Sequence, residues 1–406
     1  MTSGPRPLAG LRVIDVGTRI SAPFCAGLLG EMGAEVIKIE DPRGGDFMRT
    51  IGPFMPGGDG GDDYSLWWSV EGRGRLGATL DLRQEGGQAL FRQLVARADV
   101  VCENFRPGTM EAWGIGPDRC DPRLVWARIS VFGQDGPHSR RPGLDRMGIA
   151  FGGLLGLTGF PDGPPVRPGV TISDYMTGVF AAEAVVAALY RRDRQDGGTG
   201  RGGVVDAPLY GSMLRILEWT VAAQDRLGVT RQRQGNRMPN SAPLDNYLAG
   251  DGKYVCIVAG SDQNFVRLCA AMDRPDLAEE ERWKTLSRRA SGSDEINDIV
   301  ARWVASRTSE QVESACIEHG VPVATIYDAA DIVADPHIAA RGDLVTIDDP
   351  VAGPVLQQGP YPRLDGSAGP APRPAPLLGE HNADVWGTLL GLSPEDLDEL
   401  RSHGTI

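Results

Sequence analysis

The chain has 406 residues, 41% of them hydrophobic and 23% charged, which is enough apolar material for roughly two to three globular domains. Its net charge of −13 argues against nucleic acid or an anionic membrane surface as partner, because both need a concentrated basic face, so any anionic ligand must be met by local charge. Six scattered cysteines (Cys25, Cys102, Cys120, Cys256, Cys269, Cys316) without a C-x-x-C pair suggest neither a zinc site nor a disulfide framework, and the start, MTSGPRPLAG, has no apolar run of signal-peptide length, which fits a soluble cytoplasmic protein.

In chain order, LRVIDVG predicts a buried strand, APFCAGLLGEMG a short helix ending at Gly33, and AEVIKIE a second strand. A second βαβ unit follows: ATLDL, then the helical EGGQALFRQLVARA, then DVVCENF, with PRLVWARISVFG as a further strand. This alternation predicts an α/β, Rossmann-like large domain with a mostly parallel sheet, whose ligands bind beyond the carboxyl ends of the strands. Those ends carry GTRISAP, EDPRGGD and ENFRPG. The first turn has no G-x-G-x-x-G and contains Pro23, which counts against a dinucleotide. The glycine-dense GGTGRGG at 197–203 comes between a helix and the strand VVDAPL, the reverse of a phosphate loop, and is read as a turn.

From about residue 235 the pattern changes to a hairpin turning at GDG, followed by helices through NDIVARWVASRTSEQVESACIEHG. The expected division is a large domain over 1–225, a smaller α+β domain over 226–330, and a return linker with a C-terminal part over 331–406 that completes the large domain. Within that last part, 349–376 is extended and rich in proline and glycine, a linker rather than a core element.

Of the 41 basic residues only Lys38, Lys253 and Lys284 are lysines. A guanidinium can hold a phosphate by two parallel hydrogen bonds, so the arginines near strand ends are the residues to watch. One carboxylate also stands out. In GVTISDYMTGVFAAEAVVAALYRR, residues 169–192, Asp174 opens a long apolar helix, where the ordinary role of an aspartate is to cap the free N–H groups of the first turn.

Together LAGLRVIDVG, LGEMGAEVIKIEDPRGGD, ATLDLRQEGG, ADVVCENFRPGTMEAWGIG, GQDGP, LTGFPDGPPV, ISDYMTGVFAAEAVVAAL, GRGGVVDAPL, GVPVATIYDAADIVADPHIAARG and PLLGEH resemble the family III CoA-transferases, the CaiB/BaiF family, in one order across residues 8–381. The resemblance implies an acyl-CoA:carboxylate CoA-transferase with Asp174 as nucleophile, passing through a mixed anhydride and an aspartyl-CoA thioester. Both nucleophiles arrive as anions, so neither a metal nor a general base is required, and the helix dipole is expected to keep Asp174 ionised. No cofactor is held permanently; CoA is substrate and product. The resemblance places CoA contacts at Ser21, Leu80, Arg83, Asn104, Phe105, Arg106 and Asp145, with Arg43 and Arg75 as helpers in neighbouring loops. Asp41 and Ala112 stand where the formyl-CoA branch has arginines, so a different set of arginines is expected to hold the phosphates. It also implies an interlocked, ring-shaped homodimer. The racemase offshoot uses a histidine in a G-H-D triplet where this chain has Leu144, and leucine cannot carry a proton. An inactive CoA-binding protein is the remaining alternative, disfavoured by the intact Asp174.

Overall fold

A computed structural model describes residues 6–56, 63–194, 197–366 and 372–406; residues 1–5 and the 367–371 part of the expected linker lie outside it. The chain divides into two compact units, one of Met1–Leu154, Pro168–Val221 and Ile338–Ile406, the other of Leu155–Arg167 and Ala222–His337.

The first unit is built on six parallel strands: β1 Arg12–Asp15, β2 Glu35–Glu40, β3 Leu76–Thr79, β4 Val100–Glu103, β5 Val125–Ser130 and β6 Gly203–Pro208. Their order is β3-β2-β1-β4-β5-β6. The order reverses between β1 and β4, where Val13 lies between Val36 and Val100, and a ligand crevice forms outside the carboxyl ends at such a reversal. The strands are apolar on both faces because both are covered. Val13, Val36, Val100 and Val125 point into one core, while their successors Ile14, Ile37, Val101 and Trp126 point into the other.

Helix α1 (Ser21–Glu31) and helix α3 (Ile172–Asp193) lie over the first of these faces; α2 (Glu85–Val95) lies over the second, with Trp386 and Leu397. By length and composition α3 could cross a membrane, but it packs Ala181, Ala182, Val185 and Leu189 into the same core as Cys25 and Leu29 of α1. A Cβ on Gly178 would sit 2.9 Å from the Phe24 ring and 3.0 Å from the Ser21 carbonyl oxygen, so the missing side chain lets the two helices meet at their amino ends.

The second unit has an antiparallel sheet of β7 Leu244–Leu248, β8 Tyr254–Val258 and β9 Val323–Thr325, ordered β9-β8-β7, with the expected hairpin turning at Gly250–Gly252. Helices Asp262–Ala271, Ser293–Ala305 and Ser309–Glu318 close a core around Val255, Ile257, Phe265 and Val300. Residues 155–167, expected within the large domain, cluster here instead: the Gly235 amide donates to the Gly159 carbonyl at 3.0 Å and Arg233 to the Gly163 carbonyl at 3.0 Å. The start of the expected linker is also more ordered than its composition suggests. Leu344–Asp349 and Gly353–Gln358 pair as an antiparallel hairpin, and buried Asp349 accepts hydrogen bonds from Val351 N, Ala352 N, Tyr64 Oη and Ser69 Oγ.

Candidate active site

β1 ends at Asp15, and the turn that follows leads into α1 at Ser21. This turn is held by side chains from other strands. Lys38 of β2 is wholly buried, donates to the Gly17 carbonyl, and pairs with Asp46 at 2.9 Å and Asp15 at 3.6 Å. Burial alone would lower its pKa, but Asp15 and Asp46 outweigh that and raise it, so Lys38 is a cation. Asp15 accepts from the Gly17 amide at 3.0 Å, and Asp46 from the Arg19 amide at 3.0 Å and the Thr18 hydroxyl at 3.3 Å. Asn104, just past β4, grips Thr18 twice, accepting from its amide at 2.9 Å and donating to its carbonyl at 2.7 Å. The same Asn104 Nδ2 lies 3.3 Å from Ser21 Oγ.

Ser21 completes the chain by standing beside the Asp174 carboxylate, whose charged form its hydroxyl favours. Asp174 is the third residue of α3 and not its cap: the capping position is Thr171, whose side chain makes no capping bond. The cap comes from Asp145, whose Oδ1 accepts from Ser173 N at 2.9 Å, Ser173 Oγ at 2.7 Å and Asp174 N at 3.3 Å. The sequence reading of Asp174 as a cap is thus corrected, because the donors of the first turn are satisfied from another segment. Its neighbour Tyr175 fixes the helix start by meeting Phe24 edge-on at 4.8 Å and donating to Glu71 at 2.7 Å.

The expected permanent ionisation of Asp174 is corrected too. Burial, with the nearby Asp145 charge, pushes its carboxyl up to about 7, while the Ser21 hydrogen bond and the Arg19 charge pull the other way. Burial is the largest of these influences. The result is a carboxylate that titrates near neutrality beside a serine hydroxyl.

The other residues singled out from sequence are placed as follows. Arg106 is exposed beyond β4, and among the described residues its guanidinium has no ion-pair or hydrogen-bond partner. Phe105 packs edge-on against Trp113 at 5.2 Å, its amide held by Glu103 at 2.7 Å. Leu80 is a buried residue at the end of β3. Arg83 reaches Asp81 and Asp41 at 2.7 Å each, and Arg43 reaches Asp41 at 2.8 Å, all at the ends of β2 and β3. Arg75 lies in the core, paired with Asp15 at 3.1 Å and donating to the Pro23 carbonyl at 2.6 Å. Asp145 is buried, and its Oδ2 has no partner among the described residues.

Asp174, Ser21 and Asn104 thus converge where the strand order reverses, and the profile of CoA-transferase family III matches residues 8–382. The chain belongs to the family III CoA-transferases. It is 39% identical over 405 residues to the succinyl-CoA–D-citramalate CoA-transferase of Chloroflexus aurantiacus, spanning 99% of this chain and 98% of that one. It is 40% identical over 411 residues to the succinyl-CoA–L-malate CoA-transferase beta subunit of the same organism, spanning 100% and 99%. A CaiB/BaiF family protein from Brucella suis matches in structure with a TM-score of 0.83 at 32% identity, covering 95% of this chain and 100% of that one.

For this family III CoA-transferase the sequence reading passed over two residues that the structure brings to the site. Lys38 was read only as a strand residue. Arg19 was read only as a loop residue, yet it has φ +66° and stacks its guanidinium 3.7 Å above the Phe47 ring. One signal was available for Lys38: a lone lysine between apolar residues, in a chain that otherwise uses arginine, marks a buried cation. For Arg19 there was none. His138, the one histidine near the racemase triplet, lies edge-on to Phe132 and Phe151, and Leu144 is 56% exposed.

Proposed function

We propose that the enzyme moves CoA from an acyl-CoA to a dicarboxylic acid, with Asp174 as the covalent nucleophile. The observation that carries this is a half-buried carboxylate, relieved of capping by Asp145 and set by Ser21 at the reversal point of the sheet. Asp174 attacks the thioester carbonyl, the C–S bond breaks, and CoA leaves as thiolate, forming a mixed anhydride. The thiolate attacks the aspartyl carbonyl and expels the donor acid, leaving an aspartyl-CoA thioester. The acceptor carboxylate repeats both steps in reverse, and Asp174 is regenerated. A dicarboxylic substrate class is supported by the relatives named for succinyl-CoA with citramalate or malate, since all three acids carry two carboxylates.

For CoA we assign Arg106 to a phosphate, since its guanidinium is exposed and uncommitted, and Arg43 and Arg83 to the rim, where exchanging a carboxylate for a phosphate costs little. Phe105 and Leu80 line the adjoining strand ends. Arg75 and Asp145 act from within, on the turn and on the helix. We further propose a cytoplasmic homodimer. It is supported by exposed apolar side chains on the first unit, including Val179 and Tyr190 of α3, Val204 of the edge strand and Trp219. Sedimentation as an active monomer, or only with a second chain type, would count against it.

Asp174→Asn tests the chemistry. The side chain caps nothing, so the fold should persist while transfer falls by several powers of ten. Incubation with acyl-CoA should leave a hydroxylamine-sensitive thioester on Asp174 of the unmodified enzyme. A fully active Asn variant, or a label on another carboxylate, would overturn the assignment.

A further inference from the structure

We infer that Arg19 is a specificity residue that grips the carboxylate of the substrate that does not react. This inference rests on the dicarboxylic substrate class proposed above. A dicarboxylic acyl group attached at one end to CoA or to Asp174 carries a second anion a few bonds away. In a site of an acidic protein that anion needs a fixed cation within reach.

Four observations single out Arg19. First, its place: it precedes Ser21 by two residues in the turn at the end of β1, and its charge reaches the Asp174 carboxylate. Second, its backbone: φ of +66° is a conformation that side-chain-bearing residues rarely adopt, and Asp46 fixes it there through the Arg19 amide at 3.0 Å. Third, its head group rests 3.7 Å above the Phe47 ring, which leaves the edge of the guanidinium plane open to donate. Fourth, among the described residues its guanidinium has no ion-pair or hydrogen-bond partner, whereas the nearby Arg43, Arg49, Arg75 and Arg83 are all paired with carboxylates.

The acids nearest the turn are already committed elsewhere. Asp46, the acid closest along the turn, spends Oδ1 on the amides of Arg19 and Met48 and pairs its Oδ2 with Lys38 at 2.9 Å. Asp15 is occupied by Lys38 and Arg75. Neither acid takes the guanidinium. What remains is a strained, aromatic-backed fork beside a nucleophile, and a fork of parallel N–H donors is the geometry that fits a carboxylate.

Glycine suits the backbone at this position, so Arg19→Gly removes the guanidinium and keeps the turn. Transfer from succinyl-CoA should be compared with transfer from butyryl-CoA, which has the same chain length without the second carboxylate. The unmodified enzyme should prefer succinyl-CoA in kcat/KM by at least about a hundredfold, and Arg19→Gly should erase most of that preference by slowing succinyl-CoA far more than butyryl-CoA; losing the Arg19 charge beside Asp174 slows both donors alike and cancels in the ratio. Arg19→Lys should keep part of it, because it keeps the charge and loses the fork. A preference that survives in Arg19→Gly overturns the inference and leaves the dicarboxylic reading standing. So does an equal loss with both donors, which would make Arg19 a general contributor. An unmodified enzyme that transfers CoA without preferring succinyl-CoA sinks the dicarboxylic reading, and this inference with it.

Discussion

Two sets of charges, each of two acids and two bases, sit on or beside the neighbouring strands β1, β2 and β3, and they behave differently. Asp15, Asp46, Lys38 and Arg75 are buried, and each is bonded both to an opposite charge and to the backbone of the turn or its flanks. Asp41, Asp81, Arg43 and Arg83 form a comparable network, but Arg43 is 60% and Arg83 49% exposed. Buried charges must be fully paired, and once paired they fix the geometry around them. Exposed ones are screened, exchange partners cheaply and leave their donors available. The buried set therefore shapes the site, and the exposed set can contribute ligands to it.

The sharpest way to break this contrast is Lys38→Met. It strands Asp46 in the core, leaves Asp15 to Arg75 alone, and should cost about 3–5 kcal/mol of folding stability, read as a lower urea midpoint. A midpoint close to that of the unmodified protein would show the buried set to be dispensable.

Asp174 lies between the two sets in exposure, and its pH dependence sharpens the comparison. A raised carboxyl pKa means that the folded state binds the proton more tightly than the unfolded one. The stability it contributes is complete below about 4 and lost as pH rises to about 7. Asp174→Asn should match the unmodified protein at pH 4 and exceed it by up to about 4 kcal/mol at pH 8, followed by thermal melting. Over the same range kcat/KM for acyl-CoA in the unmodified enzyme should climb and level off above pH 7, as the nucleophile ionises. A flat profile from pH 6 to 8 would contradict the burial of this carboxylate.

Arg106→Ala should raise KM for acyl-CoA by about tenfold with a smaller change in kcat, the mark of lost ground-state binding. Arg83→Ala should be the mildest: under about 1 kcal/mol in stability, with a modest KM effect that fades as salt is added. If Arg83→Ala destabilised the fold as much as Lys38→Met, exposure would not be the variable that separates the two sets.

The parallel sheet was legible in the sequence because strands buried on both faces are written as short apolar runs between helical periods. The hairpin at Leu344–Gln358 was not, since prolines and glycines in and after it imitate a linker. Asp174 stood out in the sequence, but its local role was misread, because the residue that caps its helix lies 29 positions earlier. Arg75 could not be told from a surface arginine, its acid partner being 60 positions away. Asn104 and Ser21 were named through resemblance alone; that they meet depends on the reversal of strand order between β1 and β4, which no local pattern encodes.

The turn from Gly17 to Arg19 has one further property. Its three amides are bonded to Asp15, Asn104 and Asp46, side chains that belong to or follow three different strands, and not to a backbone ladder. In hydrogen exchange such a loop should open no sooner than the strands that anchor it. For an evolving lineage the consequence is an asymmetry. The path of the main chain can change only if several distant residues change together, while the side chain at position 19 faces no such constraint. With the roles proposed for Arg19 and Asp174, substrate range can drift at one residue while the mounting of Asp174 stays as it is.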